Sequence, residues 1–244
     1  DLHSFPTRRS SDLLVVIVLM FFIILFTNMP KNGDQNHDVH FMVTIRRIFK
    51  LRYYSEGVIA QFFYVGAQIM CWTFIIQYGT RIFMAEGMGE QEAEVLSQQF
   101  NIYAMVFFIC SRFIATFLMR YVKPAMLLAI FGVLAMVFTL GVIVFQNRLG
   151  LYSLVCVSGC MSLMFPTIYG IALDGMGDDA KFGAAGLIMA ILGGSVLPPL
   201  QAMIIDKGTV FGSFPATNAS FILPFICFLV VTVYGYRTHV VRHL

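Results

Sequence analysis

Two amides and two aromatics recur at intervals of three, four and four residues in the stretch EGVIAQFFYVGAQIMCWTFIIQYG: Gln61, Tyr64, Gln68 and Trp72. On an α-helix that spacing puts all four on one face. Amides both donate to and accept from hydroxyl groups, and indole and phenol rings stack on the apolar face of a pyranose. The chemistry of such a face is that of a sugar site. The same residues also suit a plainer role, hydrogen bonding between helices with Trp72 as an interfacial anchor. A second, weaker version of the pattern follows in Ser158, Ser162, Phe165 and Tyr169, with Pro166 beside them. Proline in a helix removes a donor and permits a bend, which a gating helix can use. Packing of small residues around Ser158 and Gly159 is the alternative there.

The elements that carry these residues are set by composition. Of 244 residues, 59% are hydrophobic and only 12% charged, with a mean hydropathy of +0.81. A soluble domain carries roughly a quarter charged residues. Here the charges are also segregated, and the stretches between them approach the ~20 residues that cross a hydrocarbon core. Only helices fit such a chain, because open strands leave backbone groups unsatisfied in lipid. Apolar segments fall at about Leu13–Phe26, Gly57–Phe83, Phe100–Leu118, Ala125–Phe145, Leu149–Leu173, Phe182–Ile205 and Ala219–Tyr236. The pattern predicts an all-α membrane protein with six close-packed spans, preceded by a short one.

Residues 1–13 read as foreign: HSFPTRRSSDL resembles the translation of a sequencing-adapter oligonucleotide and runs into an apolar segment at Leu14. The organisation expected after it is a clipped helix end over 14–26, a cytoplasmic loop over 27–52 and a six-helix domain over 53–244. Lys31, Arg46, Arg47, Lys50 and Arg52, then Arg120 and Lys123, then Arg237 and Arg242 alternate onto one side. Glu86, Glu90, Glu92 and Glu94, with Arg81, Arg148 and Lys207, fall on the other. The positive-inside rule places the long loop and the C-terminus in the cytoplasm.

Other residues carry less specific signals. Arg112 is a permanent charge within a span, on one face with Asn101 and Thr116. Such a residue is a site candidate, but its position toward one end favours a structural clasp or snorkelling. Gly183, Gly186, Ala190 and Gly194 share a face, with Gly193 adjacent and Pro198 and Pro199 beyond. Small residues at that spacing let helices approach closely, and a sliding contact is a further possibility. Cys71, Cys110, Cys156, Cys160 and Cys227 all lie in apolar stretches and read as packing residues rather than disulfides or metal ligands. No Asp or Glu lies in the middle of a span; Glu56 and Asp174 sit at borders. The chain shows no phosphate-binding loop, metal-ligand cluster or nucleophile–base arrangement, and a net charge of +3 without a basic arm argues against nucleic acid. Catalysis and cofactors are not expected.

Four segments carry a resemblance: EGVIAQFFYVGAQIMCWTF (Glu56–Phe74), FICSRFIATFLMRYVKP (Phe108–Pro124), MSLMFPTIYGIALDGMG (Met161–Gly177) and FGAAGLIMAILGGSVLPPLQAMIID (Phe182–Asp206). They resemble the L-fucose permease family of the major facilitator superfamily, which moves hexoses with protons. The resemblance covers the six full spans and implies the C-terminal half of a twelve-helix, alternating-access carrier in a bacterial inner membrane. It implies sugar-contacting roles for Gln61, Tyr64, Gln68, Trp72, Phe165 and Tyr169, and structural or gating roles for Arg112, Pro166, Gly193 and Gly194. The family has Gly where Ser111 precedes Arg112, which bears on helix packing at that point. The partners implied are a sugar, the lipid bilayer and an absent N-terminal half. That half would hold the proton-linked carboxylates, the proton being the coupling ion. A membrane sugar sensor or scaffold on the same fold is the alternative reading.

Overall fold

The computed structural model describes residues 47–210 and 214–241, together with Val18. The chain divides into two units, Asp1–His40 and Phe41–Leu244, and the second holds the helices described below. The readings of residues 1–13, 14–26 and most of 27–52 lie outside the described residues; residues 47–50 are helical.

Among the described residues, six helical segments are long and apolar enough to cross a membrane. Three are unbroken: α1 (Arg52–Ala85), α2 (Glu90–Leu118) and α3 (Pro124–Val144). The fourth consists of α4 (Arg148–Met161) and α5 (Met164–Leu173). The fifth consists of α6 (Ala180–Met189), a 3₁₀ turn (Ala190–Leu192) and α7 (Gly193–Ile205). The sixth joins the short α8 (Ala216–Ser220) to α9 (Ile222–Val241). Between α7 and α8 a two-stranded antiparallel hairpin pairs Thr209 with Pro215 and Val210 with Phe214.

Local chemistry sets the ends. Asn147 caps α4 by accepting from the Leu149 amide at 3.0 Å. Pro124 opens α3, where its missing N–H costs nothing. The second span begins ten residues before the expected Phe100. Glu90 and Glu92 fall in the first turn of α2, where negative charge complements the helix dipole. Proline explains one internal break. Pro166 cannot donate to the carbonyl four residues back, at Ser162, and the helix is interrupted at residues 162–163. It restarts with the Thr167 amide bonded to the Leu163 carbonyl at 3.2 Å.

The first span, α1, is central: it packs against α2, α4, α5, α7 and α9, while α3 pairs with α9 and α4. Lipid offers no hydrophobic drive for such pairing, so close van der Waals approach must supply it. The glycine face of the fifth span does this against α1. A Cβ on Gly193 would lie 2.0 Å from the Phe62 carbonyl oxygen, and one on Gly194 would press on Ile69 and Val65. Gly66 of α1 makes the reciprocal contact beneath Leu197. Ala190 is buried in the same contact.

Candidate functional site

The four-residue face of α1 splits into two layers. Gln61 and Tyr64 are completely buried within the half-bundle, whereas Gln68 and Trp72 are half-buried. The Tyr64 hydroxyl donates to the Met161 carbonyl at 2.9 Å, at the last residue of α4. Its ring meets the edge of Phe165, with centroids 6.3 Å apart. Phe165 in turn lies parallel to Tyr169, with centroids at 6.4 Å and planes 11° apart. Both of these α5 rings are half-buried. The Trp72 indole N–H donates to the Ser158 hydroxyl at 3.3 Å, and the ring meets Phe108 of α2 edge-on at 5.2 Å. Trp72 is thereby oriented by α2 and α4 together, with its donor engaged and its ring left for stacking.

Four of the candidates are half-buried, Gln68 and Trp72 on α1 and the stacked pair Phe165 and Tyr169 on α5, a wall whose two parts are joined through the Tyr64–Phe165 contact. Gln61 and Tyr64 stand behind it. The Gln68 amide has no hydrogen-bond partner among the described residues, and neither does the Tyr169 hydroxyl. An amide and a phenol beside two rings can bind a hydroxylated ring compound by hydrogen bonds and stacking. Gln61 differs: both its side-chain atoms are buried and unbonded among the described residues.

Sequence reasoning missed Phe108 and the role of Ser111. The Ser111 hydroxyl donates to the Gly159 carbonyl at 2.8 Å and accepts from Ser162 at 3.3 Å. The Phe107 ring lies close over Gly159, where a Cβ would fall 2.3 Å from it. Ser111 therefore adds a hydrogen bond between α2 and α4. The signal was available in the three-residue spacing of Phe108 and Ser111, but their facing helix was not. Arg112, expected to clasp a neighbouring helix, is exposed and forms no salt bridge among the described residues. Its backbone carbonyl accepts from Thr116 at 2.7 Å.

A charged groove of about 470 Å³ lies elsewhere, lined by Arg52, Tyr53, Glu56, Asp174 and Arg237. There Glu56 accepts from Arg52 and from Arg237, each at 3.0 Å. It ties the start of α1 to the end of α9, and these charges neutralise one another.

A helical bundle with broken spans defines the class, a polytopic membrane protein. No family model matches the chain. It is 53% identical over 199 residues to an L-fucose-proton symporter of Haemophilus influenzae, a match covering 82% of this chain and 44% of that protein. It is 28% identical over 217 residues to the L-fucose-proton symporter of Escherichia coli, covering 87% of this chain and 47% of that one. The crystal structure of a major facilitator superfamily transporter, FucP, in the outward conformation superposes with a TM-score of 0.76 at 27% identity. That match takes in 93% of this chain and 53% of the other. The chain spans about half the length of these relatives. It belongs to the L-fucose permease family of the major facilitator superfamily and holds the C-terminal half of that fold.

Proposed function

We propose that this chain forms the C-terminal half of a carrier that moves a hexose such as L-fucose across the bacterial inner membrane together with protons, by alternating access. The observation that carries the proposal is the wall of Gln68, Trp72, Phe165 and Tyr169, with two polar groups left unbonded beside aromatic rings. The relatives named as fucose–proton symporters support the substrate class and the coupling ion. The coupling carboxylate belongs to an N-terminal half, since no Asp or Glu lies in the middle of the described spans. The distribution of Arg and Lys supports a cytoplasmic C-terminus. The spaced small residues of α6 and α7, with Gly193 and Gly194 against α1, serve the packing on which rocking of the bundle would pivot.

Counterflow in proteoliposomes containing the carrier with both halves tests the reading. Replacing Gln68 with Ala is expected to lower L-fucose uptake about tenfold, the worth of a hydrogen bond or two to a neutral ligand, at unchanged expression. Unchanged uptake kinetics would remove Gln68 from the site, and sugar binding without counterflow would favour a sensor.

A further inference from the structure

We infer that Tyr64 is a positioning residue: it latches the break between α4 and α5 and so fixes how Phe165 and Tyr169 face the sugar. The inference rests on the reading of the wall as a sugar site, and takes Tyr64 out of direct sugar contact. Three observations lead to it.

The first is the break itself. Pro166 has no N–H to give, so the span is interrupted at residues 162–163 and α5 can change direction without breaking a continuous ladder. The second is that Tyr64 touches both sides of that break. Its hydroxyl donates to the Met161 carbonyl, the last residue before the interruption, and its ring meets Phe165, just after it. Tyr64 is fully buried, so no solvent competes for the bond. The third is that α4 is pinned from the other side. Ser111 bonds the Gly159 carbonyl, and Phe107 covers Gly159 too closely to admit a Cβ. α5 rests on α1 as well, where a Cβ on Gly57 would lie 2.7 Å from the Ala172 Cβ, so Tyr64 holds the end of α5 nearest the break. That end cannot swing away from α4 unless the Tyr64 bond breaks or Phe165 slides off the Tyr64 ring. Because Phe165 stacks on Tyr169, either event displaces both rings of the wall.

Tyr64→Phe removes one oxygen and keeps the ring, so the variant is expected to fold. Hydrogen exchange followed by mass spectrometry on the purified chain should show amides of residues 161–168 exchanging about tenfold faster, the weight of one buried hydrogen bond. Exchange in α3 and α9 should not change. In the two-half carrier, Tyr64→Phe should lower kcat for counterflow and leave KM for the sugar unchanged. Unchanged exchange at 161–168, or exchange raised equally throughout the bundle, would overturn the latch. A raised KM at unchanged kcat would overturn it too, by making Tyr64 a direct sugar ligand. If the unaltered carrier moves no sugar, the carrier reading fails and the transport role with it, while the exchange result still decides the latch.

Discussion

The C-terminal end and the middle of α1 use polar and aromatic residues to opposite effect. Toward its C-terminal end, Tyr78 donates to the Phe145 carbonyl at 2.7 Å and reaches the Val142 carbonyl at 3.1 Å. Asn218, from α8, donates to the Val142 carbonyl at 2.9 Å and accepts from Arg81 at 3.1 Å. The last turn of α3 has orphan carbonyls, as every helix end does, and this cluster satisfies them with side chains. The Tyr78 hydroxyl and the Asn218 amide are thus taken up by the protein's own carbonyls. Nearer the middle of α1, Gln61 is buried without partners among the described residues, and Gln68 and Tyr169 keep unbonded polar groups. Polarity in an apolar span therefore has two meanings, and the test between them is whether the protein itself uses up the hydrogen bonds.

Mutations can break that contrast. The largest effect is expected for Asn218→Ala, which strips partners from buried carbonyls. It should cost about 2 kcal/mol of stability, read as a lower melting temperature in detergent, with uptake per folded carrier unaltered. A loss of sugar affinity would show that the cluster is not purely structural. Gln61→Leu should act in the opposite direction. Removing an unpaired buried amide is expected to stabilise the bundle by roughly 1 kcal/mol without changing sugar affinity. If sugar binding disappears instead, the buried layer belongs to the site. The smallest effect concerns the exposed end of α1. Arg148 grips Glu86 through three hydrogen bonds, the shortest 2.7 Å, and holds its carboxyl below the ordinary value of 4.5. A lowered folded-state pKa gives stability that is present above the ordinary value and is lost as pH falls through the lowered one. The melting-point difference between the wild type and Glu86→Gln should therefore be present at neutral pH and fade below pH 4.5. A difference that persists in strong acid would mean that the pair is not its source.

Much of the fold was legible because bilayer thickness is a hard constraint on sequence. All six full spans stand where the apolar stretches lie. The discrepancy at α2 arises because its first ten residues are mostly polar, and helix extends beyond the apolar window where Glu90 and Glu92 favour it. The break at Pro166 was readable from the missing N–H. The interruption at Ala190–Leu192 was not, since the prolines nearest to it, Pro198 and Pro199, lie well along α7. The wall was half legible. Spacing put Gln61, Tyr64, Gln68 and Trp72 on one face, but a face is wider than the part of it that any one neighbour covers.

By itself, the sequence determined that the chain lies in a membrane as six helices, because segregated charge and ~20-residue apolar runs have one low-energy solution there. It also determined which residues could hydrogen-bond within those helices. Only the tertiary structure decided which of them do. Tyr64 is committed to a carbonyl 97 residues away, Ser111 to one 48 away and Asn218 to one 76 away. Gln68 and Tyr169 remain unbonded because no partner among the described residues reaches them. Hydrogen-bond satisfaction is a property of which helices meet and how closely, and helical spacing along one segment carries no information about its neighbour.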